Sequence, residues 1–166
     1  MPLVHLAGVE LLLLDIWAWG LVHLSTGYLV HKVPAARLGR DTWLFRPRRF
    51  ERGGRLYVGT FRILRWKDKL PEAGAMFAGG ISKRRLLDDE AGGLPRFAVE
   101  TRRAELTHWL AMLPGPLFAL WNPGYVVPVM VAYGVLVNLP FVMIQRCNRQ
   151  RIDRILAGRA ARAATA

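Results

Sequence analysis

The segment Glu100-Thr-Arg-Arg-Ala-Glu-Leu-Thr-His-Trp109 gathers two carboxylates, two guanidiniums and an imidazole immediately before an apolar stretch. On a helix, with successive side chains about 100° apart, Thr101, Ala104, Glu105, His108 and Met112 share one face, while Arg102 and Trp109 point elsewhere. Glu105 and His108 are then neighbours at i and i+3. A carboxylate beside an imidazole fixes its tautomer and raises its basicity, which is what a general base needs to deprotonate a hydroxyl. Glu100 lies at the edge of the same arc. The spacing serves equally well an interfacial salt-bridge network in which Glu100 pairs with Arg103 and His108 caps a polar patch, and it does not choose between the two.

Three other groups have side chains suited to chemistry or binding. Trp66-Lys-Asp-Lys69, with Lys83-Arg-Arg85, has the cations to grip a diphosphate or another anionic head group. The same lysines are also suited to plain attraction toward anionic lipid, worth about 1 kcal/mol per basic residue near the surface. Gln145-Arg-Cys-Asn-Arg-Gln-Arg151 offers Arg146, Asn148 and Arg149 to a sugar or phosphate, or else forms a basic stop after a membrane span. Asp15, Trp19, His23 and Thr26 fall within about 80° on a helical wheel, a polar stripe that should face protein rather than lipid. His5 and Glu10 imitate a His-x4-acid acyltransferase box, but their place at the terminus, on the expected outer side, argues against it. The only cysteine, Cys147, excludes an intrachain disulfide and a cysteine-based zinc site. No metal site is expected.

The elements that must carry these residues follow from how charge and hydropathy separate. The 166-residue chain is 52% hydrophobic yet carries a formal charge of +12. Eighteen of the 24 Lys and Arg lie between Lys32 and Arg103, and the other six follow Ile144. Apolar runs alternating with basic segments are a membrane protein's pattern. Residues 6–30 form the first candidate span. An acid near a span's centre costs about 2.5–3.5 kcal/mol, and each Leu or Ile returns only about 0.3–0.6, so Asp15 must face protein or lie near the interface. With no Lys or Arg before it and no small-residue cleavage site after it, the segment reads as an anchor rather than a removable signal. A second apolar region is broken at Asn122-Pro-Gly124 between Trp121 and Tyr125, giving a hairpin with arms at 104–121 and 125–144; Pro114 and Pro116 should kink the first arm. The sequence thus predicts an all-α integral membrane protein forming one domain over 1–166. Its three spans have the N-terminus outside, and the basic loop 32–103 and the tail 145–166 on the cytoplasmic face of the cell membrane. A nucleic-acid partner is excluded, because no recognition motif or aromatic platform accompanies the charge.

Within the loop, Phe50, Tyr57, Phe61 and Leu64 recur at intervals of seven, four and three, predicting an amphipathic basic helix ended by Pro71 and lying in the headgroup layer. Gly79-Gly80 and Gly92-Gly93-Leu-Pro95 mark turns around a short helix over 81–90.

Phe50-Glu-Arg-Gly-Gly54, Trp66-Lys-Asp-Lys69, Glu100 to Trp109 and Asn138-Leu-Pro-Phe-Val-Met-Ile-Gln-Arg-Cys-Asn-Arg149 together resemble, in order and spacing, the glycosyl diaponeurosporenoate acyltransferases of staphyloxanthin-type carotenoid biosynthesis. The resemblance covers roughly 50–156, and the block over 100–109 is long enough to be specific. The chain departs from the family pattern at Cys147, where an aromatic is expected, and at Gln150, where a proline is expected. The resemblance implies a membrane enzyme that esterifies a sugar hydroxyl of a glycosylated carotenoid, or a related glycolipid, with a fatty acyl chain. It implies no bound cofactor; coenzyme A would carry the acyl group as co-substrate. His108 becomes the expected general base, Glu105 its orienting group, and Glu100 or Arg103 a sugar ligand or oxyanion support. Lys67, Lys69 and Arg146 would meet the donor's phosphates, with Trp66, Lys83, Trp109, Asn148 and Arg149 completing the substrate-binding set. Expected partners are the lipophilic glycoside, the acyl donor, membrane lipid and other carotenoid-pathway enzymes. The alternative is a non-catalytic membrane subunit or anionic-lipid-binding adaptor.

Overall fold

In a computed structural model, residues 8–70 and 93–165 are described. Their order is α1 (Gly8–His31), α2 (Ala35–Leu38), a chain of short turns, α3 (Gly93–Met112), a 3-10 helix over Gly115–Leu120, and α4 (Val127–Ala164). Among the described residues the structure is helical, without strands. Lys83, the glycine turn at 79–80 and the helix expected over 81–90 lie outside them. The chain forms two compact units: Met1–Lys32 with Leu106–Val142, and Val33–Glu105 with Met143–Ala166.

In the first unit α1 has the inverse of a soluble helix's pattern. Val9, Leu12, Leu13, Ile16, Trp17, Leu21 and Leu24 are exposed, while Asp15, Trp19 and Thr26 are buried. The polar stripe faces protein, as expected. Apolar side chains turned outward along a whole helix suit a lipid environment, where hydrocarbon replaces water as the solvent. Val129, Leu136 and Leu139 of α4 are likewise exposed while Asn138 and Val142 are buried. α1 and α4 are each long and apolar enough to cross a membrane, which is compatible with a membrane protein.

Gly134 allows close contact between these helices, because a Cβ there would sit 2.7 Å from the ring of Trp19. Trp19 is held by rings on both sides: Phe118 at 4.8 Å and Tyr133 at 5.1 Å between centroids. Gly134→Val should therefore displace the indole and destabilise the protein by about 1–3 kcal/mol, the usual range for overpacking. A lowered thermal midpoint in detergent would report it; an unchanged midpoint would mean that the ring moves freely.

The expected arm over 104–121 is not one continuous helix. α3 begins at Gly93, inside the expected loop, and ends at Met112, and the chain resumes as a 3-10 helix with Pro114 at its N-cap. Prolines 114 and 116 withhold backbone donors there, which ends the α-helical pattern. Conversely, α4 runs past the expected end at 144 to Ala164, carrying Pro140 within it, since its Ala- and Arg-rich tail has high helix propensity.

The amphipathic helix expected through Phe50, Tyr57, Phe61 and Leu64 does not form. The second unit has instead a 3-10 turn over Arg49–Gly54, a π turn over Leu56–Thr60, and 3-10 turns over Ile63–Arg65 and Lys67–Lys69. Arg52, Gly53 and Gly54 all have positive φ, as does Arg62. Three successive left-handed residues cannot continue a right-handed helix. Tyr57 consequently turns inward, to a core with Ile63, Ile144 and Cys147, against which Trp66, Leu70 and Met143 pack, while Phe50 and Phe61 remain exposed.

Candidate active site

The second unit is organised by a buried cluster of charge. Glu51 is fully buried and accepts from four groups. Its Oε1 receives the Tyr57 hydroxyl at 2.9 Å and Arg146 Nε at 2.6 Å; its Oε2 receives the Arg48 backbone N–H at 3.1 Å and the side-chain amide of Gln150. Burial, with the adjacent Glu51 carboxylate, pushes the Tyr57 phenol well above its ordinary range, so it stays a neutral donor. Glu105, also fully buried, pairs through Oε1 with Arg146 Nη1 and through Oε2 with Arg149 Nη1, each at 2.6 Å. Arg146 bridges the two carboxylates and donates also to the carbonyls of Leu44 at 3.0 Å and Arg46 at 2.9 Å. Arg149 Nη2 donates to the Phe45 carbonyl at 2.9 Å. Two carboxylates and two guanidiniums thus balance one another out of water; Glu51 and Arg146 are in addition each held by several hydrogen bonds, the condition under which buried charge is tolerated.

This geometry revises three expected roles. The five N–H groups of Arg146 all face protein acceptors, so it does not present a donor to phosphate. Arg149 is equally buried. Glu105 has both oxygens engaged by arginines, and these pairs link α3 to α4. Of the remaining expected residues, Glu100 and Arg103 pair with each other at 3.1 Å, and Arg103 Nη1 reaches the Val33 carbonyl at 2.8 Å. Lys67 pairs with Asp68 at 2.7 Å, the Trp66 indole donates to the Phe61 carbonyl at 2.9 Å, Lys69 is exposed, and Asn148 is half-buried.

His108 belongs to the first unit. Its Nδ1 lies 2.9 Å from Asn138 Oδ1, and its ring stacks on Phe141 with centroids 4.6 Å apart and planes 10° from parallel. Asn138 is buried, and its amide nitrogen donates to the Gly134 carbonyl at 2.9 Å. Trp109, next along the helix, is half-buried. The imidazole is thus held by an amide and a ring from α4. In the same unit Asp15 accepts from the Trp121 indole and the Asn122 amide, both at 2.8 Å; the carboxylate of α1 thereby fixes the turn that follows the 3-10 helix.

Glu51, Tyr57, Asn138 and Gln150 carried no assigned role in the sequence reading. Two carried a signal: Glu51 is the only acid between Asp41 and Asp68, and Asn138 is the only side-chain amide within 125–144.

The stretch holding both the charge cluster and the histidine is the one shared with known proteins. A family model described as glycosyl-4,4'-diaponeurosporenoate acyltransferase matches residues 41–158. The protein of that name from Staphylococcus haemolyticus is 32% identical over 135 residues, 81% of this chain and 78% of the relative. One from Staphylococcus aureus is 27% identical over 138 residues, 83% of each. No solved structure matches the chain. A match that runs from before Glu51 to beyond Gln150, together with relatives aligned over four-fifths of its length, shows that the chain belongs to the glycosyl-4,4'-diaponeurosporenoate acyltransferase family.

Proposed function

We propose that this protein transfers a fatty acyl group to a sugar hydroxyl of a glycosylated carotenoid at the inner face of the cell membrane. The observation that carries the reading is the family match over residues 41–158, which includes the one histidine among the matched residues, His108. The chain crosses the bilayer at 6–30, 104–121 and 125–144, with the basic loop and the tail inside. A lipophilic glycoside and a fatty acyl donor both reach such a site from the membrane.

In the reaction, the sugar oxygen attacks the carbonyl carbon of an acyl thioester while His108 Nε2 takes the hydroxyl proton. The tetrahedral intermediate collapses with cleavage of the C–S bond, and the imidazolium returns the proton to the departing thiolate. The products are the sugar ester and free thiol, with coenzyme A as the carrier. A positioned general base contributes about 10²–10⁴-fold to such a step. Trp109, next to His108 along α3, serves the sugar. Glu105 acts through the fold, by clamping α3 to α4.

Expression in a host that makes the glycosylated carotenoid but lacks an acyltransferase should give a lipid extract whose pigment is heavier by one acyl chain. Mass spectrometry with and without the gene reads this directly. A pigment of unchanged mass, with the protein present in the membrane, would favour the adaptor reading, as would function that depends only on the net charge of the basic loop.

A further inference from the structure

We infer that Asn138 is the positioning residue of His108: its side-chain amide holds the imidazole as the Nδ1–H tautomer and leaves Nε2 as the free base. The inference rests on the reading of His108 proposed above and deepens it. It depends on the direction of the Asn138 amide, which its second partner decides. The Gly134 carbonyl can only accept, so the group 2.9 Å from it must be the amide nitrogen. The amide oxygen then faces His108 Nδ1 at 2.9 Å. An amide oxygen has no proton to give, so Nδ1 must be the donor, and the ring's lone pair is left on Nε2. Asn138 is itself buried, with 1% of its surface exposed, and the flat stack of Phe141 against the ring restricts rotation of the imidazole out of that hydrogen bond.

An amide differs from a carboxylate in this position. It fixes direction and tautomer without adding negative charge. The imidazolium formed when the base takes its proton is therefore not over-stabilised, and the return of that proton to the leaving group is not impeded. The expected Glu105 partner would have supplied such a charge, and the chain instead commits that carboxylate to Arg146 and Arg149.

Three variants in the full-length protein, reconstituted with the glycoside and an acyl thioester, test this. Asn138→Ala should lower kcat about 10–100-fold, with KM for the glycoside unchanged, because the base loses orientation and not substrate contact. Asn138→Asp keeps the acceptor toward Nδ1, gives up the bond to the Gly134 carbonyl, and adds charge, which stabilises the imidazolium. The limb of kcat that rises with pH as His108 loses its proton should move to higher pH, with much of the rate retained at its new optimum. Asn138→Leu, which has neither acceptor nor charge, should match the alanine variant in rate. In ¹⁵N-histidine-labelled wild type, the His108 signal, assigned by its loss in His108→Ala, should show a protonated Nδ1 and an unprotonated Nε2. If the alanine variant fails to accumulate, the aspartate profile and the nitrogen shifts still decide. A wild-type pH profile in Asn138→Asp, or an Nε2–H tautomer in the wild type, overturns the assignment of Asn138. Undiminished acylation in His108→Ala would remove the base itself, which separates failure of this inference from failure of the reading beneath it.

Discussion

Arg146→Ala should all but abolish accumulation of the folded protein, and it is expected to be the most damaging single substitution in the second unit. The guanidinium bridges Glu51 and Glu105, both without exposed surface, and also donates to two backbone carbonyls. Truncation leaves Glu51 out of water with no counter-charge and Glu105 with Arg149 alone. Breaking one buried pair costs about 3–5 kcal/mol, and here one side chain serves two pairs, against a total stability of about 5–15 kcal/mol for a typical domain. Arg146→Lys retains the charge but has three donors in place of five and no planar fork, so it should lower abundance less than alanine does. Removing the charges together is the informative control. Glu51→Gln with Arg146→Met in one chain leaves Glu105 still paired with Arg149 and no carboxylate uncompensated, and should accumulate better than Arg146→Ala alone. Immunodetection in the membrane fraction, with thermal unfolding in detergent, measures all three. Normal abundance and midpoint for Arg146→Ala would mean that water reaches the cluster.

That cluster shows where sequence reading stops. The segregation of apolar and basic segments, and the inward stripe of Asp15, Trp19 and Thr26, could be read because each is local and periodic. The Glu51–Arg146 pair spans 95 positions, and no local pattern announces it. Phe50, Tyr57, Phe61 and Leu64 gave a helical period that the backbone does not follow, since Arg52, Gly53 and Gly54 take left-handed dihedrals, and only the glycines hint at this. Glu105 and His108 were paired by spacing on one helix. Spacing identified which residues share a face, but the partners of each are set by tertiary structure, Arg146 and Arg149 for the carboxylate and Asn138 for the imidazole.

The same separation of partners makes His108→Ala the cleanest test of catalysis, with an expected loss of about 10²–10⁴-fold in acyl transfer, the usual contribution of a general base. The structural cost should be small by comparison. The ring is half-buried, its hydrogen-bond partner is the neutral Asn138 amide, and leaving a neutral acceptor without its donor costs about 1–3 kcal/mol at most. Protein should therefore still accumulate while the acylated pigment disappears. Glu105→Gln does not offer this contrast. It replaces a charge balanced by two buried guanidiniums, so its loss of activity should be accompanied by a fall in abundance. If His108 is the base, the two variants separate on a plot of activity per molecule of membrane protein, with His108→Ala near zero and Glu105→Gln much nearer wild type. If His108→Ala keeps its activity per molecule, proton transfer at this imidazole is not part of the reaction. The acyl transfer would then need another base, and His108 would be reduced to a packing partner of Phe141.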